Sequence, residues 1–346
     1  MILSPLNIKS IAIFRALQLG DLLCAVPAFR AIREAYPDAN ITLISLPGSK
    51  VIYDRFKTYF DGFMAFPGYH GLPEQDFTIA EIEHFKAAVR NLKFDLAIQM
   101  QGNGTIVNHM MRDWGARALA GFCPNSSQQD SLFLTYPDYG HESLRHLALV
   151  KHLGIAVRDT EMSFPITAED NASFDMLGLD LVPGKYVCVH TGSRGSWRQW
   201  PTNYFAALAD YCMQQGYEVV LTGTMEELPI INEVAGFMAK APVIAAGRTN
   251  LAQVAVLIQR AQLLISNCTG VSHIAAALKK KSVVISMDGE PARWAPINRQ
   301  LHRTIDWTVT QDYDLVFNEM LALLDNNNDS MASNTSSGAG GAICSV

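Results

Sequence analysis

Three observations predict an α/β fold of two doubly wound parallel sheets for this chain. Apolar, strand-type runs alternate with segments of helical period along most of the sequence, the pattern of parallel strands covered on both faces. The chain has 346 residues, more than one compact core usually holds, so two domains are expected. The strand-type runs stop at small polar residues or glycine, where such sheets present loops and helix N-termini to ligands.

In the first half, Ile11–Phe14, Ile41–Leu46 and Asp95–Met100 read as strands. After the first strand a loop runs to Asp21, and apolar residues at 22, 26, 29, 32 and 36 give the next segment helical spacing. Pro27 removes a backbone donor from that helix and should bend its first turns. Residues 50 to 80 mix Gly, Pro and aromatics and predict no clear element. The second half repeats the pattern with strands at Tyr186–His190, Glu218–Thr222, Val243–Ala246, Leu263–Ser266 and Ser282–Ser286. Helical runs lie between them at Thr202–Gln215, Glu226–Met238, Leu251–Ala261 and Val271–Leu278, with Thr249 or Asn250 as an N-cap. The division falls between Pro165 and Pro183, giving domains 1–172 and 173–325. The Asn/Ser/Gly-rich tail 326–346 is expected to be disordered.

Composition narrows the function. Hydrophobic residues make up 49% and charged residues 17%, with a net charge of −6. That balance disfavours nucleic acid as a partner. Six cysteines, at 24, 123, 188, 212, 268 and 344, show no CxxC spacing, so no zinc or redox motif is expected and they read as reduced thiols of a cytosolic protein. No signal peptide and no transmembrane helix are expected.

Three strand-end loops carry candidate chemistry. In "RALQLGDLL", Asp21 follows Gly20; from the residues alone it is either an N-cap, the commoner role, or a carboxylate able to take a proton. In "VHTGSRGSWRQWP", the small residues Thr191, Gly192 and Ser193 suit phosphate oxygens, and Arg194 and Arg198 add charge. In "ISNCTGVSHIAAAL", Thr269 and Gly270 open a helix whose free N–H groups would face a ligand, and His273 lies close behind as either a contact or a packed core histidine. A fourth loop, "MDGEPARWAP", combines Gly, Pro, Arg and Trp. No Walker loop and no G-x-G-x-x-G after the first strand is present.

Together these motifs resemble the glycosyltransferase family 9 heptosyltransferases. The resemblance runs from Ile11 to Leu324 and rests on an ordered series: "GDLLCAVPAFRAIREAYPDANITLI", "FDLAIQMQG", "HTGSRGSWRQWP", "VVLTGTMEE", "GRTNLAQVAVLIQRAQLLISNCTGVSHIAAAL" and "GEPARWAP". It implies a GT-B architecture, two Rossmann-like domains facing a central cleft, with acceptor on the N-terminal one and nucleotide-sugar on the C-terminal one. It implies inverting, metal-independent transfer of a sugar, heptose by the resemblance, from a nucleotide diphosphate donor such as ADP-heptose to a lipopolysaccharide-core or related glycan acceptor, with no cofactor.

By the same resemblance Asp21 is the general base, and Gly20 and Gln101 meet the acceptor. Arg198, Thr269 and Gly270 hold the diphosphate, Glu227 contacts ribose, and Thr249 and Leu251 line adenine. Cys268 stands where many members carry an Asp that contacts donor sugar hydroxyls, and losing such a charge-assisted bond costs about 1.5–3 kcal/mol. The implied protein is a cytoplasmic monomer whose lipid-linked acceptor would bring it to the cytoplasmic face of the inner membrane. Two other functions fit the same sequence: a non-catalytic sugar-nucleotide binding protein and a GT-B-like sugar-nucleotide epimerase.

Overall fold

The computed structural model describes residues 7–125 and 131–325. The expected disorder of 326–346 and the state of Cys344 lie outside those residues. The chain divides into two compact units. One runs up to Pro165 and includes Ala292–Trp294; the other comprises Ile166–Pro291 and the residues from Ala295 on. The sequence placed the division at 172/173. It falls a few residues earlier because the helix at Ala168–Asp175 bonds to the second unit. Ser173 accepts from Gln253 Nε2 at 2.9 Å, and Asp175 pairs with Arg260 at 2.6 Å.

Unit one follows the order β1 (Ser10–Phe14), α1 (Leu19–Ala35), β2 (Asn40–Ser45), α2 (Lys50–Arg55), β3 (Gly62–Ala65), α3 (Ile79–Asn91), β4 (Leu96–Gln99), α4 (Val107–Arg112), β5 (Ala118–Cys123), β6 (Phe133–Thr135) and α5 (Glu142–His152). Its six strands are all parallel, in the spatial order β3-β2-β1-β4-β5-β6. Parallel strands covered on both faces need apolar residues throughout, and Ile11, Ala12, Ile13 and Phe14 are all fully buried. Phe14, Phe66, Phe85 and Trp114 meet edge to face beneath the sheet.

The strands β3, β5 and β6 were not foreseen. β3 lies in the Gly- and aromatic-rich stretch that predicted nothing, and β5 reads Ala-Leu-Ala-Gly-Phe-Cys, too poor in β-branched residues to announce itself.

The chain continues with α6 (Ala168–Asp175), β7 (Tyr186–His190), α7 (Thr202–Gln214), β8 (Glu218–Thr222), α8 (Leu228–Phe237), β9 (Val243–Ile244), α9 (Leu251–Arg260), β10 (Leu263–Asn267), α10 (Gly270–Ala277), β11 (Ser282–Ser286), α11 (Pro291–Trp294), β12 (His302–Asp306) and α12 (Tyr313–Asp325); Ala292–Trp294 of α11 belong to unit one and the rest to unit two. The five strands expected there all form, and β12 is added at the sheet edge. The order β12-β11-β10-β7-β8-β9 is again fully parallel. Asn250, not Thr249, caps α9, through a reciprocal pair of bonds with Gln253. Trp200 is buried against Phe205, Trp307 and Tyr313 and fixes the loop that leaves β7.

The two sheets share one topology. In each, the first and fourth strands lie side by side while their connections leave in opposite directions. This is the switch point at which doubly wound sheets bind ligands. In unit one it lies beyond β1 and β4, and in unit two beyond β7 and β10.

Candidate active site

Beyond β1 the chain places Arg15, whose side chain is fully buried. The register pairs Phe14 with Gln99, so Arg15 emerges level with Met100 and donates Nη1 to its carbonyl. Arg15 Nε donates to the carbonyl of Asp21 at 2.7 Å, and Nη2 donates to Glu142 Oε1 at 3.2 Å. The Asp21 carboxylate lies 3.6 Å from Nη2.

Asp21 is not the N-cap. Gln18 holds that position and Asp21 sits in the first turn of α1, where it faces the Gln18 N–H. Its side chain keeps 21% of its surface exposed, so a ligand can reach it. Burial raises its pKa, opposed by Arg15 and reinforced by Glu142, with smaller lowering contributions from the Gln18 N–H and Arg293. The result is a reachable carboxylate that is a stronger base than an ordinary aspartate.

Glu142 opens α5 and is 2% exposed. Burial would raise its carboxyl. His146, Arg15 and Arg293 outweigh that and hold it well below the carboxylate range, with Arg293 Nε at 2.9 Å. Arg145 Nη1 lies at 3.7 Å, and the Tyr136 hydroxyl donates to Glu142 at 3.4 Å while accepting from Arg145 and Arg293. His146, one turn along, has Nε2 at 3.3 Å from Glu142; burial and the Arg15 cation push it down to about 4, so it is neutral at pH 7.

The other predicted acceptor residues, Gly20 and Gln101, are both buried. Gly20 is buried inside α1. Gln101 Oε1 accepts from the Ala16 N–H at 2.7 Å and ties the ends of β4 and β1 together.

At the switch point of unit two, the register pairs His190 with Ser266, so Thr191 and Asn267 emerge together. Asn267 is fully buried. Its Nδ2 donates to the Thr191 carbonyl at 2.8 Å, and its Oδ1 accepts from the Trp200 N–H at 3.0 Å. One side chain therefore holds both ends of the loop Thr191–Trp200. The hydroxyl oxygens of Thr191, Ser193 and Thr269 are buried there without a hydrogen-bond partner. Buried hydroxyls normally find one, so these three are available to hydrogen-bond a polar ligand. Thr269 is the N-cap of α10, yet its side chain makes no cap bond, which leaves the first amides of α10, from Gly270 on, toward the same place.

Arg198 reaches this region with 27% of its side chain exposed, donating to the Cys268 carbonyl at 3.3 Å and pairing with Asp288. Asp288 is in turn fixed by the Ser286 hydroxyl at 3.0 Å. Arg194 is exposed on the same loop.

Glu227 packs on Gly192. A Cβ at 192 would overlap the Glu227 carboxylate, which also accepts from the Thr224 N–H at 2.8 Å. Thr249 donates to the Ala245 carbonyl at 3.4 Å, and Leu251 is half-buried at the start of α9. His273 is 4% exposed within α10. The Cys268 thiol is buried, and burial, with the nearby Asp288 carboxylate, pushes its pKa up to about 12; it is a neutral thiol at pH 7. Among the described residues no three His, Cys, Asp or Glu side chains form a metal-ligand group, and no helix is long and apolar enough to cross a membrane.

Sequence reasoning missed Arg15, Glu142 and Asn267 as a brace; it singled out the loop that carries Asp288 and Arg293 but gave neither residue a role. Arg15 carried a signal, a charge closing an apolar strand. Glu142 carried none, since nothing in its neighbourhood links it to Asp21.

Comparison with known proteins accords with this geometry. The profile of glycosyltransferase family 9 (heptosyltransferase) matches residues 82–312. Lipopolysaccharide heptosyltransferase 3 of Escherichia coli is 27% identical over 298 residues, 80% of this chain and 82% of its own length. The structure of a family 9 glycosyltransferase from Veillonella parvula superposes with a TM-score of 0.74 at 18% identity, over 94% of this chain and 96% of its own. That of the ADP-heptose lipopolysaccharide heptosyltransferase II of E. coli does so with a TM-score of 0.72 at 18% identity, over 92% and 99%. At that identity the two structures speak for the GT-B-type fold of paired α/β units. The match across residues 82–312 and the ordered motifs around it make this chain a member of glycosyltransferase family 9.

Proposed function

We propose that this enzyme transfers a heptose from ADP-heptose to a lipopolysaccharide-core acceptor, with inversion at the anomeric carbon and Asp21 as general base. The observation that carries the reading is the reachable Asp21 carboxylate, made more basic by burial, at the switch point of unit one.

In the reaction an acceptor hydroxyl gives its proton to Asp21 as its oxygen forms a bond to the anomeric carbon. The bond from that carbon to the diphosphate oxygen breaks, and ADP leaves with the electron pair. The charge developing on the diphosphate would be met by Arg198, by the hydroxyls of Thr191, Ser193 and Thr269, and by the first amides of α10, preorganised donors that need no metal. In this reading Arg198 exchanges part of its contact with Asp288 for the diphosphate. Glu227 would take the ribose, Thr249 and Leu251 the adenine, and Gly20 the acceptor. Arg194 and His273 complete the donor side.

Donor affinity for heptose rests on groups other than residue 268, because a neutral thiol offers only a weak hydrogen bond. Monomeric action at the cytoplasmic face of the inner membrane belongs to the same reading. Its cytoplasmic part is supported by cysteines 24, 123, 188, 212 and 268, which are all buried and outside any disulfide among the described residues, as a reducing compartment favours.

The test is Asp21→Asn with ADP-heptose and heptose-deficient lipopolysaccharide. Transfer is expected to fall roughly 100- to 10,000-fold, while calorimetric binding of ADP persists. Normal turnover by the variant would remove Asp21 from the role of base. ADP-heptose incubated alone should keep its configuration, which an epimerase would change.

A further inference from the structure

Arg15 is a buried cation beside the proposed base, and an unopposed cation there would defeat it. A guanidinium in bidentate contact with a carboxylate stabilises the ionised form and weakens it as a proton acceptor. In this molecule that contact does not form. Arg15 Nε is bonded to the carbonyl of Asp21, Nη1 to the carbonyl of Met100, and Nη2 to Glu142 Oε1 at 3.2 Å, leaving Nη2 and Asp21 Oδ1 as a single ion-pair contact at 3.6 Å, beyond hydrogen-bond distance. The nearest carboxylate to which Nη2 could turn, were Glu142 absent, is Asp21.

We propose that Glu142 is a positioning residue for the base: by holding the Arg15 guanidinium it keeps that cation from neutralising Asp21. The inference rests on the assignment of Asp21 as base. Glu142 suits the task because it is itself over-supplied with cations. Arg145 comes from its own helix, Arg293 from α11 and Arg15 from the end of β1. The helix N-terminus of α5 adds to their pull. It therefore remains ionised while buried, and the neutral His146 beside it adds no charge. The groups that face Asp21 are Arg15 after β1, Glu142 on α5, Arg293 on α11 and the Gln18 N–H before α1. Glu142 is the one anion among them.

Two variants should move the base in opposite directions. In Glu142→Gln an anion is lost and Arg15 Nη2 is released toward Asp21. The acid limb of the kcat/KM profile, measured with ADP-heptose and heptose-deficient lipopolysaccharide, should move to lower pH and the plateau should fall roughly threefold or more. In Arg293→Gln a cation is lost while Glu142 keeps Arg15, so the limb should move to higher pH. Arg293 keeps 28% of its side chain exposed, so this variant carries the test if Glu142→Gln folds poorly. ADP affinity, read by calorimetry, should stay within about twofold in Glu142→Gln, since the residue lies in unit one.

The carboxyl 13C shift of Asp21, assigned against Asp21→Asn, reads the same displacement without turnover. Limbs and titration unmoved in both variants, with Asp21→Asn inactive, would make Glu142 a packing partner and overturn the proposal. An active Asp21→Asn would instead overturn the base assignment, and the proposal with it.

Discussion

Cys268 illustrates how far burial governs chemistry at single residues. A cysteine at the turn between β10 and α10 stands beside Arg198, which should favour a thiolate, yet burial and the Asp288 carboxylate outweigh the guanidinium and push its pKa up to about 12. The thiol should therefore neither react nor carry charge. Iodoacetamide at pH 7.5 is expected to leave residue 268 unmodified in the folded protein by peptide mass spectrometry. Cys268→Ser should keep kcat/KM within about threefold, because one weak hydrogen-bonding group replaces another of similar size. Rapid alkylation at 268, or a large loss in the serine variant, would show a thiol that works on the donor. Asp21 shows the converse: residual exposure combined with desolvation makes an ordinary carboxylate a better base.

Elements explain why these residues meet. A parallel register carries the last residues of neighbouring strands to one level, so β1 and β4 deliver Arg15 to Met100, and β7 and β10 deliver Thr191 to Asn267. The small residues after each strand are then steric requirements. Gly192 faces the Glu227 carboxylate with no space for a Cβ. Gly192→Ala is expected to destabilise unit two by about 1–3 kcal/mol, read as a lower thermal midpoint. Gly192→Ala combined with Glu227→Ala should recover most of that loss; no recovery would mean that the strain lies in the backbone. Asn267 works at the same level, and its truncation would free both the β7 loop and the Trp200 N–H.

For the molecule as a whole, pH dependence follows from its buried titratable groups. His302 is 1% exposed and bonded to the Ser282 hydroxyl at 2.8 Å; burial, then Arg299, push it down to about 4, and His146 is pushed down to about 4 as well. The folded state binds these protons less well than the unfolded chain, whose histidines titrate near ~6.5. The stability they lend is complete above ~6.5 and is lost as pH falls toward 4. Glu142, held below the carboxylate range, acts in the same sense lower down, its contribution fading only below ~4.3. Asp21, with a raised pKa, opposes both. Thermal melts should show lower midpoints at pH 5 than at pH 7, with about 2 kcal/mol lost per histidine. His302→Asn should flatten that slope, and an unaltered slope would exclude the residue as a cause.

Sequence alone determined the α/β class, five of the second sheet's six strands, the family motifs and the identity of the candidate base. Each of these is written locally, in apolar period, in the residues at strand ends and in the order of short motifs. It did not reveal β3, β5, β6 or β12, whose residues form strands only because a sheet receives them, nor that Gln18 rather than Asp21 holds the N-cap position of α1. Above all, tertiary structure alone decided that Arg15 turns to Glu142 and that Asn267 braces a distant loop. Electrostatics and hydrogen bonding depend on distance in space, and residues far apart along the chain acquire that distance only when the sheets form.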